Sequence, residues 1–211
     1  MSPGVSKRRL SGIDRSGPPP EATLSGHPLN PWTLPNAIDY LRLAGIPVFL
    51  IVAFGSTDGH DVLAVVLFGV IGWSDYLDGF LARLTGQYSR LGALLDPVVD
   101  RLLVVSGMVV CWHFGLLPHW AIAIVIVREL FMLVASRYGL SRGVDIQINW
   151  AGRLGVAPIA AAPFFAMAGV HWLALIMLYV GMALGLLAAV MYVRRGAQEI
   201  SARKDRTKLS S

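Results

Sequence analysis

Residues 74–100 read SDYLDGFLARLTGQYSRLGALLDPVVD, four aspartates in a chain that is otherwise mostly apolar. Asp75 and Asp78 are three residues apart, Asp96 and Asp100 four apart. Either spacing sets a pair of side chains on one face of an α-helix. A carboxylate at mid-bilayer costs roughly 3 kcal/mol on insertion scales, so four at that depth cost about 12 kcal/mol. No fold keeps such a group without compensation. The short turn between the two pairs makes their helices antiparallel neighbours, which lets the pairs face one another at similar depth.

Outward from this stretch, composition sets the class. Of 211 residues, 55% are hydrophobic and 15% charged, against about 25% charged in soluble domains. Several apolar runs approach the roughly 20 residues that cross a hydrocarbon core. The expectation is an all-α polytopic membrane protein, a bundle of six transmembrane helices. They run from about Asn36 to Phe54, Asp61 to Leu84, Ser89 to His113, His119 to Tyr138, Gly152 to Ala168 and Trp172 to Val193. The connections hold the turn residues, in STDGHD, LTGQYS, FGLLPH and GLSRGVDIQINW.

Three regions follow: a disordered basic arm over 1–30, the six-helix domain over 31–195 and a basic tail over 196–211. The arm carries KRR at 7–9 and GPPP at 17–20, and no apolar run before Pro31 that reads as a cleavable signal. Basic residues outside the spans fall in the two tails and in the fourth connection, at Arg142, and Arg90 lies in the first turn of the third span beside the second connection, while the first, third and fifth connections carry none. The positive-inside rule then puts both termini, and the turn beside the aspartates, in the cytoplasm of a cell whose plasma membrane holds the chain. Cys111 is the only cysteine, so no intrachain disulfide forms. The histidines are too scattered for a metal site, and nothing points to nucleic acid.

Converging carboxylates repel unless a cation sits among them. With no Cys or His in the cluster, hard oxygen ligands favour Mg2+ or Mn2+. Gly79, Ala82 and Gly92 are small and allow close approach, and Arg83 and Ser89 offer donors to phosphate. The residues alone therefore describe a metal site for a phosphate-bearing substrate at a membrane surface.

The stretch fits D-x2-D-G-x2-A-R-x8-G-x3-D-x3-D without a gap, through Asp75, Asp78, Gly79, Ala82, Arg83, Gly92, Asp96 and Asp100. It resembles the signature of the CDP-alcohol phosphatidyltransferases. The resemblance implies that Asp75, Asp78 and Asp96 hold two divalent ions, and that Asp100 completes the second site and acts as general base. It implies that Gly79, Ala82, Arg83, Ser89 and Gly92 line the nucleotide and diphosphate of CDP-diacylglycerol, and that the protein is a homodimer in the bilayer. WTLPNAIDYLRLAGIPVFL and LGALLDPVVDRLL are similar to the branch holding phosphatidylglycerophosphate synthases and CDP-diacylglycerol-dependent cardiolipin synthases. The implied reaction moves a phosphatidyl group onto glycerol 3-phosphate and releases CMP; the alternative acceptor is phosphatidylglycerol. Two positions depart from that branch: Asp39 stands where a hydroxyl residue is expected, and Arg101 where many glycerophosphate enzymes carry lysine. Arg42, Arg128 and Arg153 are candidates for an acidic acceptor, with pairing to Asp39 the plainer role for Arg42. Two rival readings are an intramembrane prenyltransferase and a cation transporter using membrane carboxylates.

Overall fold

The computed structural model describes residues 30–85, 89–141 and 150–209. Among them are six helices and no strand: α1 Leu34–Gly55, α2 Val62–Thr85, α3 Arg90–His113, α4 His119–Ser141, α5 Trp150–Met167 and α6 His171–Leu209. The expected starts and stops lie close to these, with one difference. α6 continues well beyond Val193. Hydropathy ends there, but Ala, Gln, Glu, Arg and Lys propagate a helix as well as apolar residues do.

The helix ends are written in local chemistry. Thr33 caps α1 with extended backbone (φ −121°, ψ 155°), its hydroxyl accepting from the Asn36 N–H at 3.4 Å, and Pro35 follows in the first turn. Asp61 caps α2 by accepting from Ala64 N–H at 2.9 Å. Ser89 caps α3 by accepting from Gly92 N–H at 2.9 Å. The C-termini of α3 and α5 close in the same way. Gly115 and Gly169 take φ of 66° and 78°, a region that favours glycine. Leu116 N–H reaches Cys111 C=O at 2.9 Å and Gly115 N–H reaches Trp112 C=O at 3.3 Å; Val170 to Phe165 (2.9 Å) and Gly169 to Ala166 (3.1 Å) repeat the pair. Both are Schellman closures.

The chain divides into two compact units, 1–106 and 107–211, with the boundary inside α3. In the first, α1 packs on α2. Ile46, Phe49 and Ala53 of α1 are buried, as are Ala64, Phe68 and Ile71 of α2. The Phe49 and Phe68 rings lie 5.2 Å apart at 56°. In the second, α6 packs on α4 and α5. A Cβ on Gly181 would stand 2.8 Å from Ile159 N, and one on Gly155 3.1 Å from Leu184 Cβ. These two helices therefore approach to backbone distance, the small-residue packing typical of membrane helices.

Two helical stretches are long and apolar enough to cross a membrane among the described residues, Leu34–Gly55 and His171–Arg194, with mean hydropathies of 1.8 and 2.5. Shorter apolar stretches cover Val62–Leu77 and Gly155–Met167. α2 and α3 carry the aspartates and α4 carries Arg128 and Glu129, and such groups interrupt an apolar run. Large apolar side chains also point outward, among them Leu41, Ile51, Val70, Val127 and Val134. Water would penalise that surface; lipid does not.

Candidate active site at the aspartate motif

The first turns of α1 carry a polar stripe. Asn36, Asp39 and Arg42 recur every three residues, so they share one face, and all three are buried, at 1%, 1% and 2% exposure. In an otherwise apolar helix that burial requires partners.

Arg42 reaches into the motif. Its Nε donates to Ile71 C=O at 3.2 Å, and Nη1 donates to Asp75 Oδ1 at 3.1 Å. Nη2 donates to Asp100 Oδ1 in a short ion pair. Nη1 also lies 3.6 Å from Asp39 Oδ1, one turn back on its own helix. One guanidinium thus joins a carboxylate of α2 to a carboxylate of α3, the two-pronged geometry for which arginine is suited. Asp96 stands beside Asp39 and Asp75, and Asp100 beside Asp75 and Asp96. The cluster has a dry back and an open front: the α1 residues are almost inaccessible, whereas the side chains of Asp75 and Asp100 are 48% and 40% exposed. A ligand can reach the two motif acids without opening the fold.

Asn36 organises the neighbouring corner. Its Nδ2 donates to Asn30 C=O at 3.1 Å and Pro31 C=O at 3.2 Å. Its Oδ1 accepts from the Ser89 hydroxyl at 2.8 Å, and Ser89 Oγ in turn accepts from Gly92 N–H. One amide thereby ties the entry to α1 to the first turn of α3. Gly92 is required for that tie, since a Cβ there would stand 2.6 Å from Asn36 Oδ1. Ser89 and Gly92, expected beside the nucleotide, are placed in this hydrogen-bonded corner. Asn36 was not among the expected site residues, although an Asn in an apolar helix, three and six residues before Asp39 and Arg42, is itself a signal.

The other expected residues are distributed as follows. Asp78, Gly79, Ala82 and Arg83 lie on α2 and Arg153 on α5, with side chains outside those described. Arg101 donates from Nη1 to Pro97 C=O at 2.8 Å. In the second unit Arg128 is buried, ion-paired through Nη1 with Glu129 and donating from Nε to Gly185 C=O at 3.3 Å. Among the described residues no group of three or more His, Cys, Asp or Glu side chains is arranged to hold a metal ion. The donor chemistry nonetheless suits a hard cation: Asp75 and Asp100 offer only oxygen, from two helices, and already share one positive group.

The geometry can be set beside known proteins. Over 128 residues the chain is 40% identical to a cardiolipin synthase (CMP-forming) of Streptomyces coelicolor, covering 57% of this chain and 58% of that one. The chain therefore spans less than two thirds of that relative's length. It is 31% identical over 174 residues to a probable phosphatidylglycerophosphate synthase of Mycobacterium tuberculosis, covering 79% of this chain and 83% of that one. It is 31% identical over 178 residues to a CDP-diacylglycerol--glycerol-3-phosphate 3-phosphatidyltransferase of Shigella flexneri, covering 81% and 94%. The family description CDP-alcohol phosphatidyltransferase matches residues 32–193, a span that takes in the α1 stripe, both aspartate pairs and all of α5. This chain belongs to the CDP-alcohol phosphatidyltransferase family.

Proposed function

We propose that the protein transfers the phosphatidyl group of CDP-diacylglycerol to the hydroxyl of glycerol 3-phosphate and releases CMP. The observation that carries this reading is the meeting of Asp75 and Asp100, from different helices, at one cationic group beside an accessible face. In the proposed reaction the acceptor hydroxyl attacks the phosphorus bearing the diacylglycerol oxygen. Its proton passes to a carboxylate oxygen of Asp100. The bond from that phosphorus to the bridging oxygen breaks, and CMP departs with the electron pair. Asp75, Asp78, Asp96 and Asp100 are the residues that would hold two Mg2+ or Mn2+ ions. When bound, such ions supply charge neutralisation to the diphosphate. Gly79, Ala82, Arg83, Ser89 and Gly92 flank the nucleotide end in this reading. Arg128 and Arg153 serve an acidic acceptor, while Arg42 serves the acids themselves.

The reading includes a setting. All six helices cross the plasma membrane, with both termini and the acids facing the cytoplasm, and two copies form a homodimer. The basic fourth connection and tails, with Arg90 beside the second connection, support the orientation; the family supports the dimer. Accessibility of single cysteines introduced at Ser56 and at Thr207 to an impermeant thiol reagent checks the sidedness. Only the second should be reached from the cytoplasmic face.

A second reading has phosphatidylglycerol as acceptor and cardiolipin as product. Arg101 in place of lysine after Asp100, and the 40% identity to a cardiolipin synthase, favour it. The test supplies purified protein in detergent with CDP-diacylglycerol, divalent metal, and both acceptors side by side, then identifies the lipid formed. Phosphatidylglycerophosphate supports the first reading and cardiolipin the second. No CMP at all from either acceptor removes both and returns the chain to the prenyltransferase and transporter rivals.

A further inference from the structure

Arg42 has a role that the transfer reaction alone does not require. It belongs to α1, outside the D-x2-D to D-x3-D stretch, yet it is the residue that joins Asp75 to Asp100. A guanidinium is a permanent cation. The repulsion between these carboxylates is therefore relieved by a charge the chain itself supplies. A divalent ion taken up by the same oxygens must break those two hydrogen bonds and meets a like charge.

We infer that Arg42 is a built-in competitor for the divalent cation, holding Asp75 and Asp100 together in the metal-free protein and passing to Asp39 when metal takes them. This rests on the reading that the motif acids bind metal. Asp39 suits the part: its carboxylate is buried, sits one turn away on the same helix, and already stands 3.6 Å from Nη1. The Nε bond to Ile71 C=O supplies a pivot that the fork can keep while it turns. The arrangement gives an acidic site that stays assembled when empty. It also keeps Oδ1 of Asp100 engaged until the arginine has left. The buried carboxylate of Asp39 then has a purpose: a neutral group there would leave the displaced guanidinium uncompensated.

The test measures Mn2+ affinity by the paramagnetic resonance signal of the free ion, and thermal unfolding in chelator or in Mn2+, on the full chain in detergent. Arg42→Lys is the deciding variant, because lysine keeps the charge and loses the fork. It should bind Mn2+ roughly tenfold more tightly than the wild type, since a point charge cannot bridge both acids. It should unfold at a lower temperature in chelator and gain more from added Mn2+. Arg42→Gln should move further in both directions; where it does not fold, the lysine variant carries the comparison. Asp39→Asn should weaken Mn2+ binding in the wild type and do so by less in Arg42→Lys, a coupling that independent sites do not show. Wild-type affinity in Arg42→Lys, or weaker, overturns the inference while leaving the metal reading intact, provided Asp75→Asn abolishes the binding. Failure of the wild type to take up Mn2+ saturably overturns both.

Discussion

Two helix joints, one in each unit, are built by opposite means. In the first, α1 meets α2 and α3 through buried polar side chains: Asn36 to the Ser89 cap, and Arg42 to Asp75 and Asp100. In the second, α5 meets α6 at Gly155 and Gly181, which face backbone atoms and the side chains of Leu184 and Ile159. A glycine joint draws its stability from dispersion across closely spaced backbones. A polar joint must satisfy every donor it buries, and it can therefore be rearranged by anything that competes for those donors. The proposed chemistry lies in the joint whose partners can be exchanged, and the glycine joint only packs.

The polar joint is most sensitive at Asp100. Asp100→Asn should lower CMP release about a thousandfold, the scale of a lost general base, while the protein still unfolds cooperatively, because Arg42 keeps Asp75 and the Ile71 carbonyl. Near-normal turnover would remove the base assignment. In the apolar joint, Gly181→Ala should destabilise by about 3 kcal/mol, the upper part of the overpacking range, because the obstacle is the Ile159 backbone nitrogen as well as its side chain. Thermal unfolding in detergent reads that loss; an unchanged midpoint would mean the helices do not approach as closely as stated. Asn36→Ala should cost about 2 kcal/mol by leaving buried hydrogen-bonding groups without their partner. Gly92→Ala sharpens the same corner: its penalty should be smaller by about 1 kcal/mol in the Asn36→Ala background, where the opposing Oδ1 is gone. The smallest effect belongs to a plain helix end. Asp61→Ala should cost about 1 kcal/mol, the usual value of an N-cap, with no change in the metal dependence of activity.

Much of this was legible in the residues. Helix ends at His113 and His119 coincide with expectation because Gly115 and Pro118 punctuate the chain there. The aspartate motif was legible because acids in an apolar run are costly, and costly residues are kept for a reason. The extension of α6 to Leu209 was not, since the apolar pattern stops at Val193 while the helix does not. For Arg42 the sequence offers acceptor binding and pairing with Asp39. Its two bonds span 33 and 58 residues of chain, and no local spacing announces contacts of that range. Asn36 shares the i, i+3, i+6 spacing of Asp39 and Arg42, but its acceptor role is completed by Ser89, 53 residues away.

The order of residues alone therefore settled that this is an apolar helical chain, where most helices begin and end, and which acids share a helix face, because capping, glycine closure and helical period act within a few residues. Only the packing of α1 against its neighbours decided which cation the acids share and which amide braces the corner beside them. Those choices depend on how helix faces are turned toward each other, and that is fixed by side-chain fit across the interface, not by the pattern along any one helix.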